Sequence, residues 1–217
     1  MSTLGDQIRA TLLAGMHLPD ALERLFAWIE DRGFYVDTTA GRLGFMFDDA
    51  ALKASWSDSE REGGTLIEFF AEGNVNLKYW FRHERAAVLD RLCVFGKSGA
   101  DGSMVALWLT DGGEQKIVHL GSGSGSTLVC VLADDPVDFL RLIAIGYDEI
   151  CWPQNFAHPP NHDPGEIVVH PNRPFQDWVR RTFRTTIPER ASELIRHPGD
   201  MGDKAPLDPF ARWLRTV

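Results

Sequence analysis

The chain has 217 residues, 44% hydrophobic and 24% charged, a balance that excludes an intrinsically disordered protein and supplies enough apolar surface for a sizeable core. No run approaches the roughly 20 apolar residues that a membrane helix requires, and the start Met1-Ser-Thr-Leu-Gly-Asp6 has no basic region leading into an apolar stretch. The formal charge of −9 is unevenly spread: residues 1–150 hold 13 Lys+Arg against 23 Asp+Glu, and residues 151–217 hold 9 against 8. An acidic field of this kind disfavours nucleic-acid phosphates and anionic membranes, and it speeds encounter with a basic partner. Three widely spaced cysteines, Cys93, Cys130 and Cys151, fit a reducing compartment, and the cytoplasm is the expected location.

Two helices are expected to open the structure. The second is the better marked: Leu18-Pro19-Asp20 puts Pro at the first helical position, with Asp20 and Glu23 in the first turn. Leu22, Leu25, Phe26 and Ile29 then recur at helical spacing, and Gly33 supplies a stop. From residue 34 to 133 the periodicity is that of strands. Residues 42–47 are strand-like, 48–49 and 57–64 read as polar connections, and 65–71 and 75–81 flank Gly73-Asn74 as a predicted hairpin. Residues 89–95, 104–109, 117–120 and 128–133 follow as strands separated by Gly/Ser/Asp clusters, which predicts an antiparallel meander.

Helix returns at Asp135-Pro136, where Asp135 caps, Pro136 takes the first helical position, and Val137, Leu140, Ile143, Ala144 and Tyr147 form the buried stripe. Beyond Cys151 a proline-rich stretch runs to Pro174, followed by a helix around 175–183 and an amphipathic piece at Pro209–Leu214. The strands cluster between helices and do not alternate with them. The predicted class is therefore α+β: a twisted, mainly antiparallel sheet packed against helices, with a proline-rich, partly helical C-terminal extension. One domain is expected over residues 1–217, its core in about 1–150 and the extension in 151–217.

Motifs for chemistry are incomplete. The segment Leu120-Gly-Ser-Gly-Ser-Gly-Ser-Thr127 has the glycines of a phosphate loop but no Lys followed by Ser or Thr, and a strand follows it where a helix is needed. It reads as a strand-to-strand turn. Cys151, His158, His162, Asp163 and His170 are residue types that bind zinc, yet Pro159 and Pro160 prevent a helical pair of histidines and no paired cysteines accompany them. No Gly-x-Ser-x-Gly elbow is present. Asp48-Asp49 reads as a solvated turn, Asp134-Asp135 as a helix cap, and Arg180, Arg181 and Arg184 as the flanks of a packing face.

The segments Phe95-Gly-Lys-Ser-Gly-Ala-Asp-Gly102, Ala106-Leu-Trp108, Ile117-Val-His-Leu-Gly121, Val131-Leu-Ala-Asp134 and Asp138-Phe-Leu-Arg-Leu142 resemble the Smi–Knr branch of the SUKH superfamily. The resemblance covers residues 89–150, with the helix at 18–32 as a weaker counterpart of the family's opening helix, and Gly99, Asp101, Gly102, Trp108, Leu120, Gly121, Phe139 and Leu140 carry it. It implies a twisted antiparallel sheet on helices and no shared catalytic centre. Many bacterial members are immunity proteins that block a toxin by direct binding, and others, notably in fungi, are regulatory hubs. The tail after Cys151 departs from the pattern.

The expectation is thus a non-enzymatic, cytoplasmic immunity protein without cofactor or metal, a monomer or weak homodimer whose partner is a basic toxin such as a nuclease, with no nucleic acid and no membrane bound. The alternatives are a regulatory or scaffolding protein of the same fold, or an enzyme or metal-binding protein using the tail Cys and His residues. Asp48, Asp49, Asp58, Glu60 and Glu62, on polar connections, form the predicted contact surface, with Trp56 either its aromatic anchor or a core residue.

Overall fold

The computed structural model describes residues 2–48, 50–51, 60–162 and 167–217. After helices α1 (Thr3–Ala10) and α2 (Asp20–Asp31), strands β1 (Tyr35–Thr38) and β2 (Gly41–Phe45) form a hairpin. Strand β3 (Glu60–Glu62) leaves the sheet, and β4 (Glu68–Gly73) rejoins it beside β2. Two short helices, α3 (Leu77–Phe81) and α4 (Ala86–Leu89), lead into β5 (Leu92–Lys97), β6 (Met104–Leu109), β7 (Gln115–Leu120) and β8 (Leu128–Ala133). Helix α5 (Pro136–Ile145), strand β9 (Val168–His170), helix α6 (Arg173–Phe183), strand β10 (Gly199–Asp200) and helix α7 (Pro209–Leu214) follow, with short 3-10 turns at Pro153–Asn155 and Ala191–Glu193. The main sheet runs β1-β2-β4-β5-β6-β7-β8-β10, antiparallel throughout, and β3 pairs with β9 as a separate parallel ribbon. The class is α+β.

The period of two in the central strands explains the layers. Cys93, Phe95, Val105, Leu107, Ile117, Cys130 and Leu132 lie on one face, packed with α1, α2, α5 and α6 through Ile8, Phe26, Phe139 and Phe175. Leu92, Val94, Ala106, Trp108, Val118 and Leu120 lie on the other, packed with α3, α4 and α7 through Leu77, Val88, Phe210 and Trp213. Because both faces are buried, β5 to β8 read as almost continuous apolar runs. On the first face Phe26, Phe69, Phe95 and Phe139 form a chain of ring contacts 5.7, 6.5 and 5.8 Å apart, joining α2, β4, β5 and α5.

Helix signals worked locally. The Asp135 carboxylate accepts from the Val137 N–H at 2.9 Å, and Gly146 ends α5 with φ +104°. Pro19, the predicted first helical residue, is instead the N-cap of α2, which starts one residue later at Asp20, and α6 begins at Arg173, two residues early.

The predicted hairpin at Gly73-Asn74 is not formed. Residues 75–81 alternate apolar and polar like a strand, which would bury Val75, Leu77 and Tyr79. Instead residues 77–81 form α3: Leu77 is fully buried with Trp80 and Phe81 packed on the same core, and Val75 and Tyr79 are exposed. Helical spacing presents residues 77, 80 and 81 together to the second face of the sheet, which needs that cover. Strands β1, β3, β9 and β10 were not predicted, and β3 falls within residues 57–64, which read as a polar connection. The tail beyond residue 150 contributes Phe156, Phe175, Val179 and Ile195 to the first core and Phe210 and Trp213 to the second.

One buried polar pair crosses the first face. The Ser98 hydroxyl lies 2.7 Å from His119 Nε2, and His119 Nδ1 lies 2.9 Å from the Leu128 carbonyl. A carbonyl only accepts, so Nδ1 carries the proton and Nε2 accepts from Ser98. Both side chains are fully buried, and burial pushes the His119 imidazolium down to about 4. In the unfolded chain the ring titrates near its ordinary value, so between that value and about 4 the unfolded state binds the proton and the folded state does not. Stability is therefore lost as pH falls through this window, by about 3 kcal/mol from this group. Urea melts at pH 7 and pH 4 are expected to show a smaller pH-dependent loss in His119→Gln than in the unsubstituted protein; equal losses would refute the assignment.

Candidate functional site

Three backbone segments meet too closely for side chains, and this crossing builds a cleft. A Cβ on Gly63 would lie 2.3 Å from the Gly146 carbonyl oxygen, and one on Gly146 would lie 2.9 Å from Pro171. Backbone hydrogen bonds pin the crossing: Gly63 N–H to the His170 carbonyl at 2.7 Å, Gly64 N–H to the Tyr147 carbonyl at 2.6 Å, and Ile150 N–H to the Ser98 carbonyl at 2.9 Å. The β3–β9 ribbon is thereby set opposite a ledge formed by residues 147–152. Between them lies an open cleft of about 860 Å³.

Its walls are held by their own contacts. Asp148 accepts from Arg61 Nη1 at 3.1 Å and from the Thr65 hydroxyl. Glu149 accepts from the Ala100 N–H at 3.0 Å and from the Trp152 indole. Asn161, left-handed at φ +65°, places its carboxamide against the Val169 backbone, accepting from its N–H at 2.6 Å and donating to its carbonyl at 2.8 Å. The Tyr147 hydroxyl donates to the His158 carbonyl at 2.6 Å and accepts from the Ala191 N–H at 3.0 Å. The Gln154 and Asn155 carboxamides and the His158 and His162 rings also line the cleft, and they make no hydrogen bond among the described residues.

Strand alternation gives the ribbon two distinct faces. Arg61 and Val169, paired in register, line the cleft. Glu60, Glu62, Val168 and His170 are exposed, and the first two fall on the predicted contact surface. His170 Nε2 lies 2.9 Å from Glu60 Oε2, and Val168 is 41% exposed beside them. Asp48 is also exposed, whereas Asp49, Trp56 and Asp58 lie outside the described residues.

The tail residues come together only in part. His158 and His162 stack with ring centroids 3.9 Å apart and planes 4° from parallel. A metal ion lies in the plane of each imidazole that ligates it, so rings stacked in this way do not converge on one ion. Among the described residues no three His, Cys, Asp or Glu side chains form a metal-sized cluster. Asp163 lies outside them. Cys151 is fully buried, and burial with the nearby Glu149 and Asp101 carboxylates pushes its thiol well up, the reverse of an activated nucleophile.

The glycine-serine loop already holds an anion, and it belongs to the protein. Asp101 accepts from the Ser126 N–H at 2.7 Å, the Ser103 N–H at 3.0 Å, and the Ser103 and Ser122 hydroxyls at 2.8 Å each. Burial alone would raise this carboxyl, but the four bonds outweigh it and hold it below the usual range. The loop is a turn folded around a carboxylate. Of the motif residues, Gly99 and Gly121 have no space for a Cβ, which would lie 2.5 Å from Cys151 Sγ and from the Ser126 carbonyl oxygen respectively, and Gly102 has φ +88°. Trp108, Leu120, Phe139 and Leu140 are buried core.

Arg61, Asp148, Glu149 and Trp152 belong to no sequence motif. They are brought together by the glycine crossing, and only the polar, proline-rich character of residues 151–174 hinted at a site there. Asp101→Ala is expected to leave the Ser126 and Ser103 N–H groups unpaired, costing about 1–3 kcal/mol. Amide exchange at these two positions should accelerate while exchange in β5 remains slow, and unchanged protection of Ser126 would show that the carboxylate does not hold the loop.

No family model, no curated protein and no solved structure matches this chain.

Proposed function

We propose that this chain is a non-enzymatic protein-binding domain, an immunity protein that neutralises a basic toxin by stoichiometric capture in the cytoplasm. The observation that carries this reading is the outer face of the β3–β9 ribbon, where exposed Glu60 pairs with exposed Val168 and exposed Glu62 pairs with His170. A solubilising surface needs only the charges. An exposed apolar β-branched residue beside Glu60 supplies the dry contact that an interface core requires, with the acids as the steering rim. The net charge of −9 strengthens long-range attraction for a basic partner. The resemblance to the SUKH superfamily over residues 89–150 agrees with this reading, and the toxin is its contribution.

The experiment is capture of the basic toxin domain encoded by a neighbouring gene, followed by stopped-flow association with a Glu60→Lys/Glu62→Lys variant. Association should slow by about tenfold at low salt and lose much of its salt dependence. Identical rates and salt slopes in the two proteins would remove the ribbon as the contact surface.

A further inference from the structure

The cleft behind the ribbon has committed walls and an uncommitted lining. The Asp148 carboxylate accepts from Arg61 and the Thr65 hydroxyl, and Glu149 from the Ala100 N–H, the Trp152 indole and the Cys151 thiol, while a carboxylate offers about four lone-pair directions. Among the described residues, the carboxylates lining the cleft, Asp148 and Glu149, outnumber the one guanidinium, Arg61. Half-buried Trp152 supplies an indole whose N–H is tied to Glu149, so its orientation is fixed relative to that carboxylate. At the rim, the Gln154 and Asn155 carboxamides have both donors and acceptors uncommitted among the described residues, which is what an extended backbone requires of its receptor.

We infer that the cleft receives a cationic side chain, an arginine carried on an extended segment of the protein partner, with Glu149 as its counter-charge and the Trp152 indole as its platform. The inference rests on the protein-binding reading for its ligand and adds to it a specificity pocket on the opposite face of the same ribbon. A guanidinium suits the place better than an ammonium. Its planar fork pairs with a carboxylate while its face lies on an aromatic ring, whereas a lysine head does only one of these well. The cleft's roughly 860 Å³ lies within the range of ligand sites and holds an arginine side chain with the flanking backbone. Arg61 does not repel such a guest strongly, because its charge is already matched by Asp148 at 3.1 Å.

The test uses the full chain and an acetylated, amidated Gly-Arg-Gly peptide, with Gly-citrulline-Gly as a neutral isostere. Binding is followed by the NMR shifts of the Trp152 indole N–H and the Ala100 amide, both of which touch Glu149. The arginine peptide should move both signals saturably, and the citrulline peptide should bind at least about tenfold more weakly. Glu149→Gln should weaken the arginine peptide by a similar factor, and Glu62→Gln, on the outer ribbon face, should not. The wild-type comparison of the two peptides stands even if Glu149→Gln does not fold. No movement of either signal, or equal movement with citrulline, overturns the pocket. Capture of a basic toxin with unchanged affinity by Glu149→Gln overturns it too, while leaving the ribbon reading intact. Arginine binding without capture of any basic protein supports the pocket and removes only the protein-binding reading.

Discussion

The central strands β5 to β8 bury both of their faces, and the rest of the structure follows from that constraint. A sheet with one wet face needs a single layer of helices. This one has apolar side chains on both sides of every central strand, so a second layer has to come from somewhere in the chain. Three short helices supply it, two from residues 77–89 and one from residues 209–214. The last is held by Asp208, a nearly buried carboxylate that accepts from the Phe210 and Ala211 N–H groups of the helix and from the Val131 N–H of β8. Burial raises this carboxyl despite the three bonds. A charged cap thus joins α7 to the sheet just past the short pairing of β8 with β10.

The same economy governs the tail. Residues 151–217 reach both cores, and on the way they supply one strand of the ribbon and one wall of the cleft. The site is a by-product of the crossing at Gly63, Gly146 and Pro171. Without two glycines the backbones could not approach, the ribbon could not lie against the end of α5, and no cleft would form. The cleft sits where the regular sheet ends, on segments fixed by hydrogen bonds from Tyr147, Asn161 and Arg61.

Acidic groups play three different parts here. Asp101 turns a glycine-rich loop inward and fills the place a phosphate would take. Asp148 and Glu149 hold the ledge of the cleft. Glu60 and Glu62 stand in solvent. A net charge read from composition cannot separate these parts, because the distinction lies in what each carboxylate accepts from.

The amino-acid sequence by itself determined the antiparallel strands from residue 92 to 133, helix α5 with its Asp135 cap, helices α2 and α7, and the reading of residues 120–127 as a turn. Each of these rests on local chemistry: period-two or period-3.6 burial, a capping carboxylate, a glycine where φ is positive. Only the tertiary structure decided that residues 77–81 are helix, since the alternation of Leu77 with its neighbours satisfies a strand until the second face of the sheet demands Leu77, Trp80 and Phe81 together. It also decided the parallel pairing of Glu60–Glu62 with Val168–His170, across more than a hundred residues, and with it the cleft. Pairings of that range leave no periodicity in either segment, because neither strand is long enough to carry one.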